Sequence, residues 1–425
     1  MAGASKACAD LAMTAPLAPP KRKNPLKRTR LHSPPPEMRS RRSHLLTKAA
    51  AEGRFGLPGC ADCGMLHYPP RDACPECFSH RIALMACSDL GTLAAATSVQ
   101  ISNNVYFRER SPWRVGLVTL DAGPGVVAHL HGTCAEGGRV RLEWRLDRSG
   151  NAVAFAMPEK PGPHALDDPQ VREMTLDPKF RRVLITDGRT ALGQAAAKAL
   201  SEAGASIVFV GLADPWKPFA GRERLAGIKG VEIMPLDVTD TDSVNDLADS
   251  IGARVDIVIN TGEHIRPGGL LDRKGVNVAR EELEAGYLGL MRLAQGFGPV
   301  LKFRGADGVN SACAWVNVFS VYARMAWPAY GAWSAAQAAM LGASMSLRGE
   351  MRAGGVRVVH VFTGPTEDEW FQPLPPPKVG HGQIASAIVD ALRRGLEEVY
   401  VGDVAQDIRD RLEQNPKALE REIGQ

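Results

Sequence analysis

The stretch RRVLITDGRTALGQAAAKALSEAG, residues 181–204, decides the fold of the larger part of the chain. Its opening run of Val183, Leu184 and Ile185 is apolar without alternation, as in a strand covered on both faces. A helical pattern of small apolar residues follows and ends near Gly204. Apolar strands recur as ASIVFVGL (205–212), VEIMPLDV (231–238), VDIVINTG (255–262), AWVNVFSV (314–321) and VRVVHVFTG (356–364). Helices are expected between them, over 242–252, about 281–301 and about 330–353. Short apolar strands alternating with such helices predict an α/β domain with a parallel, doubly wound sheet over 180–403. Residues 404–425 read as a helical tail.

Upstream the pattern changes. GTLAAATSVQIS, WRVGLVTLDAG, GVVAHLHGT, RVRLEWRL and AVAFAM, between Gly91 and Met157, are strand-like segments separated by Gly, Asp or Asn turns. Five such strands predict a small, partly open barrel of the OB type. The Pro- and Asp-rich segment 158–179 (PEKPGPHALDDPQ and onward) reads as a linker.

Four of the eight cysteines cluster as Cys60-x2-Cys63 and Cys74-x2-Cys77. Each CxxC turn aims two thiolates at one point, and two such turns complete a tetrahedral sulfur shell. All four positions are then occupied, so a structural metal is expected, zinc first and rubredoxin-like iron second. With four sulfurs available, His67 and His80 read as loop residues.

Residues 1–50 hold eleven Lys/Arg against Asp10 and Glu37, while the remainder holds 40 basic and 45 acidic residues. The basic, Pro-rich segment 1–45 cannot bury enough surface to offset its ordering entropy and is expected to be disordered. The folded part is mildly acidic. Its barrel region offers Tyr106, Phe107, Trp113, Trp144 and Phe155 with little basic–aromatic alternation, which argues against nucleic acid. No apolar run of about 18 residues or more suggests a membrane span. The thiol-rich cluster and the lack of a secretory pattern point to a reducing cytoplasm.

CADCGMLHYPPRDACPECFS, followed by GTLAAATSV and SPWRVGLVTLDAGPGVVAHLHG, resembles the zinc-ribbon/OB-fold family that accompanies thiolase-type acyl-CoA enzymes, over roughly 46–157. Tyr68, Pro69, Pro70 and Arg71 before Cys74 carry the resemblance. It implies docking to an acyl-CoA enzyme that owns the catalytic cysteine, with a CoA ester shared between the two.

Residues 180–403 resemble the short-chain dehydrogenase/reductase family, a Rossmann fold, in a glycine-loop remnant, LDVTD at 236–240, NTG at 260–262, Ser320 and TGP at 363–365. That family's phosphate loop reads TGxxxGxG. Here Asp187 and Ala191 replace its first two glycines and Gly193 keeps the last. Like charges at ~4 Å cost about 1 kcal/mol in water and several times more in a partly buried site, so Asp187 opposes a phosphate. Gly188, Gly193, Asp237 and Asn260 remain as candidate NAD(P) contacts.

The family pairs its serine with a tyrosine thirteen residues on and a lysine four further, the lysine lowering the phenol pKa for proton transfer. Counting from Ser320 gives Trp333 and Gln337, and Gly286 at the supporting helix asparagine. Indole does not titrate usefully and an amide carries no charge. Tyr322 and Tyr330 read as packing residues. Ser320 is therefore vestigial, and no catalytic set is expected.

The resemblances together imply a non-catalytic accessory or scaffold subunit of a thiolase-type complex in β-oxidation of bulky acyl-CoAs, of aromatic-succinyl or steroid side-chain type. The Rossmann domain would self-associate or pair with an active short-chain dehydrogenase. Two alternatives stand beside it: an NAD(P)-dependent 3-hydroxyacyl-CoA oxidoreductase with an atypical site, and a nucleotide- or CoA-sensing regulator.

Overall fold

The computed structural model describes residues 14–19, 34–35, 41–304 and 312–424. Two compact units divide at Asp177 and Pro178.

In the first unit, α1 (His44–Glu52) buries Leu46, Ala49 and Ala50 and stops at Gly53, whose φ of 68° is the left-handed value that glycine adopts at low cost. It leads to β1 (Leu57–Cys60), paired antiparallel with β2 (Ile82–Met85), and the loop between them carries the cysteines. Five strands follow: β3 (Leu90–Val99), β4 (Trp113–Leu120), β5 (Gly125–Leu130), β6 (Arg139–Leu146) and β7 (Ala152–Pro158). Their order is β3-β4-β5-β7-β6, and the barrel is closed rather than partly open. Closure comes from Leu90–Thr92 pairing with Arg139–Arg141, which leaves no free edge between β3 and β6. Leu93, Val118, Leu130, Leu142 and Leu146 fill the interior.

Segment 158–179 folds instead of linking. After α2 (Val105–Glu109) and the barrel strands comes α3 (Pro169–Met174), whose Asp168 cap accepts from Gln170 N and Val171 N. The Gln170 side chain accepts from Arg114 N at 2.7 Å and donates to Arg114 O at 3.0 Å, standing in for a strand neighbour of β4. Glu173 is buried between Arg110 (2.9 Å) and Arg148 (3.0 Å) and accepts from the Tyr106 hydroxyl at 3.2 Å. All three partners converge on one oxygen, Oε2, and the two guanidinium charges offset the buried carboxylate, which is why a charged segment can be interior.

Most of segment 1–45, expected to be disordered, lies outside the described residues; the described parts are docked. Leu17 N donates to Asp167 Oδ2 at 3.2 Å, and Pro35 is buried with its carbonyl accepting from Ser149 Oγ at 3.3 Å. Proline-rich segments have little backbone freedom to lose, so few contacts hold them.

The second unit is a seven-stranded parallel sheet ordered β10-β9-β8-β11-β12-β13-β14. Its strands are β8 (Arg182–Ile185), β9 (Ile207–Leu212), β10 (Val231–Pro235), β11 (Ile257–Asn260), β12 (Ala314–Ser320), β13 (Arg357–Thr363) and β14 (Glu398–Val401). Helices α4 (Ala191–Glu202), α5 (Arg222–Ala226) and α6 (Thr241–Ile251) connect the first half. In the second half, α7 (Asn277–Leu283) runs through a π turn at Glu284–Leu288 into α8 (Gly289–Arg304), and α9 (Gly331–Arg352) is the longest helix. α10 (His381–Arg394), α11 (Asp403–Gln414) and α12 (Pro416–Ile423) complete the unit, the last two making the C-terminal tail helical.

A line of polar groups crosses the buried centre of this sheet. Thr186 Oγ1 donates to Asn260 Oδ1 (3.0 Å), Asn260 Nδ2 to Asn317 Oδ1 (3.3 Å), and Asn317 Nδ2 to Ser344 Oγ (2.7 Å). Ser344 Oγ then meets His360 Nε2 at 2.9 Å, and burial, with Arg348 and Arg324 nearby, pushes His360 down to about 2, so its ring is neutral. The strand order reverses between β8 and β11, and the crevice at their carboxyl ends holds the candidate site.

Candidate functional site

The cysteine centre rests on two equivalent turns. Gly64 N donates to Cys60 O at 2.9 Å, and Phe78 N donates to Cys74 O at 3.0 Å. The residue after each second cysteine is left-handed, Gly64 at φ 74° and Phe78 at φ 58°. The four Sγ atoms lie within 4.8 Å of one another, with Cys60–Cys77 at 3.5 Å and Cys63–Cys74 at 3.6 Å. A tetrahedral shell at ~2.3 Å places sulfurs ~3.8 Å apart, so the donor set fits a structural zinc with no position left for water. Without a metal the four thiols share protons: backbone amides help lower Cys60 and Cys74, and their thiol neighbours raise Cys63 and Cys77. His67 and His80 instead meet the carbonyls of Pro69 (3.4 Å) and Asp72 (3.2 Å).

In the Rossmann unit the loop from Thr186 to Gly193 satisfies itself. Asp187 Oδ1 accepts from Arg189 N at 2.8 Å, and Thr190 Oγ1 accepts from Gly193 N at 3.0 Å. Burial raises the Asp187 carboxyl above the usual range. Both loop glycines are demanded by packing: a Cβ on Gly193 would lie 1.9 Å from Asp187 O, and one on Gly188 would lie 2.2 Å from Val210 Cγ1. Asn260 is built into the polar line beside Thr186. Asp237 closes its own turn, accepting from Thr239 N at 2.9 Å and Thr239 Oγ1 at 2.6 Å. Asp214, past the end of β9, pairs with Lys217 (2.6 Å) and Arg189 (3.6 Å).

Ser320 and Trp333 line a cavity of about 210 Å³ whose wall also includes Glu263, Phe319, Asp368, Trp370, Phe371 and His381, and Gln337 reaches Ser320 and Glu263 from outside that wall. Ser320 N donates to Gln337 Oε1 at 3.2 Å, and Gln337 Nε2 donates to Glu263 Oε2 at 3.1 Å. Glu263 opens onto the cleft as a residue, yet its carboxyl is walled by protein. Burial, then the charge of Asp368, raises it to about 7. Asp368 Oδ1 holds His381 Nε2 at 3.0 Å, which raises the His381 pKa and lowers that of Asp368. Trp333 is 3% exposed; among the described residues its Nε1–H makes no hydrogen bond of ordinary geometry, and the indole faces Glu263 closely enough to favour the ionised carboxyl.

Tyr322 and Tyr330 lie outside the cavity wall in a stack with Trp327, at 4.3 and 4.5 Å between ring centroids. Burial pushes Tyr322 up to about 12, and the Tyr330 hydroxyl donates to Trp370 O at 2.6 Å. Sequence reasoning missed Glu263, Asp368 and His381. Glu263 follows directly on NTG, and a carboxylate at the mouth of a buried strand was the available signal. Asp368 and His381 stand in a Pro-rich loop and at a helix start without one.

Residues 181–377 match the short chain dehydrogenase family. An uncharacterized oxidoreductase of Mycobacterium bovis is 30% identical over 249 residues, 54% of this chain and 70% of its own length. The chain belongs to the short-chain dehydrogenase family. A short-chain dehydrogenase of Talaromyces islandicus is 29% identical over 181 residues, 40% of this chain and 61% of its own. The crystal structure of a Burkholderia cenocepacia short chain dehydrogenase, in complex with NADP, superposes with TM-score 0.52 at 29% identity, covering 58% of this chain and 98% of that one. Fused ahead of the dehydrogenase domain are two further matches: the rubredoxin-like zinc ribbon domain of ChsH2 over 47–83 and its C-terminal OB-fold domain over 86–145. This short-chain dehydrogenase domain thus carries Trp333 and Gln337 at the spacing where its family resemblance implies tyrosine and lysine.

Proposed function

We propose that the chain is an accessory subunit of a thiolase-type acyl-CoA complex, docked through its ribbon and barrel, with a dehydrogenase domain that scaffolds rather than transfers hydride. The observation that carries this reading is the fusion itself: a ChsH2-type ribbon and OB pair on a dehydrogenase domain with Trp333 and Gln337 after Ser320. Neither side chain can exchange a proton with a carbonyl near neutral pH. The zinc stiffens the ribbon as a docking element and takes no part in chemistry. The long helices α8 and α9 are the surfaces for self-association or for an active dehydrogenase, and the setting is a reducing cytoplasm. Bulky acyl-CoAs of β-oxidation, aromatic-succinyl or steroid side-chain in type, are the substrate class this reading favours.

Affinity purification of the tagged chain from its native host, with mass spectrometry of what co-purifies, tests the reading. A stoichiometric thiolase-like subunit is expected; a homo-oligomer with no acyl-CoA enzyme attached would overturn it. A second reading, an NAD(P)-dependent 3-hydroxyacyl-CoA oxidoreductase with an atypical acid, draws on the NADP-bound relative and on Glu263 in the cleft. Reduction of NAD(P) by the purified chain with a 3-hydroxyacyl-CoA would establish it.

A further inference from the structure

We propose that Arg266 and Trp370 form a clasp between two walls of the dehydrogenase cleft, closed while Glu282 carries a proton and opened when Glu282 ionises and takes the Arg266 guanidinium from the ring. The inference does not rest on the docking reading above.

One wall is the segment that follows β11, with Glu263, His264, Ile265 and Arg266, and another is the 3-10 turn Glu369–Phe371 ahead of α10. The Arg266 guanidinium lies 4.5 Å over the Trp370 ring and joins them. Trp370 is the fixed half. Its carbonyl accepts from the Tyr330 hydroxyl at 2.6 Å, and Tyr330 is itself buried against Trp327. Arg266 is the half free to turn. Among the described residues its guanidinium makes one hydrogen bond, to Ile265 O at 2.8 Å.

Glu282, on α7, is where it can turn to. The residue is 1% exposed, and its Oε1 accepts from Arg266 N at 3.1 Å. Its Oε2 is buried and has no hydrogen-bond partner among the described residues. A carboxyl with one oxygen buried and unpaired is tolerated as the neutral acid and opposed as the anion. An ionised Glu282 therefore needs a cation at Oε2. The Arg266 backbone already touches the carboxyl, so changes in its side-chain torsions alone bring the guanidinium back.

The charged groups around Glu282 leave Arg266 as that cation. From the loop, Arg266 and Arg273 face it, and the Arg273 guanidinium is held by Pro267 O. On its own helix Glu281 stands beside it, engaged with His264 at 3.3 Å. The π turn that continues α7 carries Tyr287 and Glu284, the latter paired with Arg292. Helix α9 packs against α7, and its residues 331–346 include no titratable or charged side chain. Burial raises the Glu282 carboxyl to about 7. Below that pH the acid leaves Arg266 on the ring. Above it, a charge-assisted hydrogen bond to a buried carboxylate outweighs contact with a ring face, and the clasp opens.

The full-length chain labelled with 15N-tryptophan provides the readout, the Trp370 indole signal being assigned by its loss in Trp370→Phe. Between pH 6 and pH 8 the ionised fraction of Glu282 rises from about one tenth to about nine tenths. The Trp370 signal of the native chain is expected to move over that range with one midpoint near 7. In Glu282→Gln it should stay at the low-pH position throughout. In Arg266→Met it should also stay still, at a position of its own, because no cation covers the ring. Glu263→Gln should keep the native movement, which separates Glu282 from the other carboxyl raised to about 7. The other six of the seven indole signals report whether each variant is folded. A Trp370 signal that stays still in the native chain, that moves unchanged in folded Glu282→Gln or Arg266→Met, or that stops moving in folded Glu263→Gln would overturn the proposal.

Discussion

Burial and the Asp368 carboxylate raise Glu263 from the ordinary 4.5 to about 7. Between those two values the native chain holds a proton that the unfolded chain has released, so this group makes stability fall as pH rises through the window. Glu263→Gln removes the ionisation and keeps the acceptor for Gln337. Its melting temperature should exceed that of the wild type at pH 8 and match it near pH 4.5, as measured by calorimetry across the range. Equal melting temperatures at pH 8 would show that the carboxyl titrates normally. At the knuckles, Gly64→Ala places a side chain at φ 74° in open space, so only backbone strain is added. Urea unfolding should show a loss of about 1 kcal/mol.

Among the elements, the two sulfur turns and the sheet's polar line make separate predictions. Metal analysis of the purified chain should give one zinc per chain, lost in Cys63→Ser/Cys77→Ser, with the far-ultraviolet signal of the dehydrogenase domain retained. Ser344→Ala leaves the Asn317 amide and the His360 ring without a shared partner in a fully buried site. Each buried polar group left unpaired costs about 1–3 kcal/mol, and the urea midpoint should fall by that order. These elements differ in how plainly the sequence announced them. The knuckles are local, since Cys60, Cys63, Cys74 and Cys77 carry their spacing with them. The parallel strands are local too, as short apolar runs such as IVFVGL at 207–212. Helix α3 was hidden because its charged face is stabilised by partners far away in sequence, Glu173 by Arg110 and Arg148 and Gln170 by Arg114. The cleft was hidden for the same reason. Glu263, Trp333 and His381 come from three separate segments, and only the strand order brings them to one crevice.

At the scale of the whole molecule, the first unit holds the ribbon, with its four-cysteine cluster, and the barrel, and the second is a dehydrogenase domain with Trp333 and Gln337 after Ser320. The four clustered cysteines and the residues at the cleft's centre lie in different units, so each can be disabled alone. Restoring Trp333→Tyr and Gln337→Lys together should not produce NAD(P) reduction above that of the native chain, because Asp187 still takes the Arg189 amide and Glu263 still occupies the space beside position 337. Rapid turnover with NAD(P) in that double variant would show that the loop accepts the cofactor after all. The most direct test of the central claim compares the native chain with Cys63→Ser/Cys77→Ser in parallel purifications from the native host. A stoichiometric thiolase-like subunit is expected with the native chain and should be lost from the variant, whose dehydrogenase domain remains folded. Equal recovery of that subunit with both chains would contradict docking through the ribbon, and its absence from both would contradict the accessory-subunit reading itself.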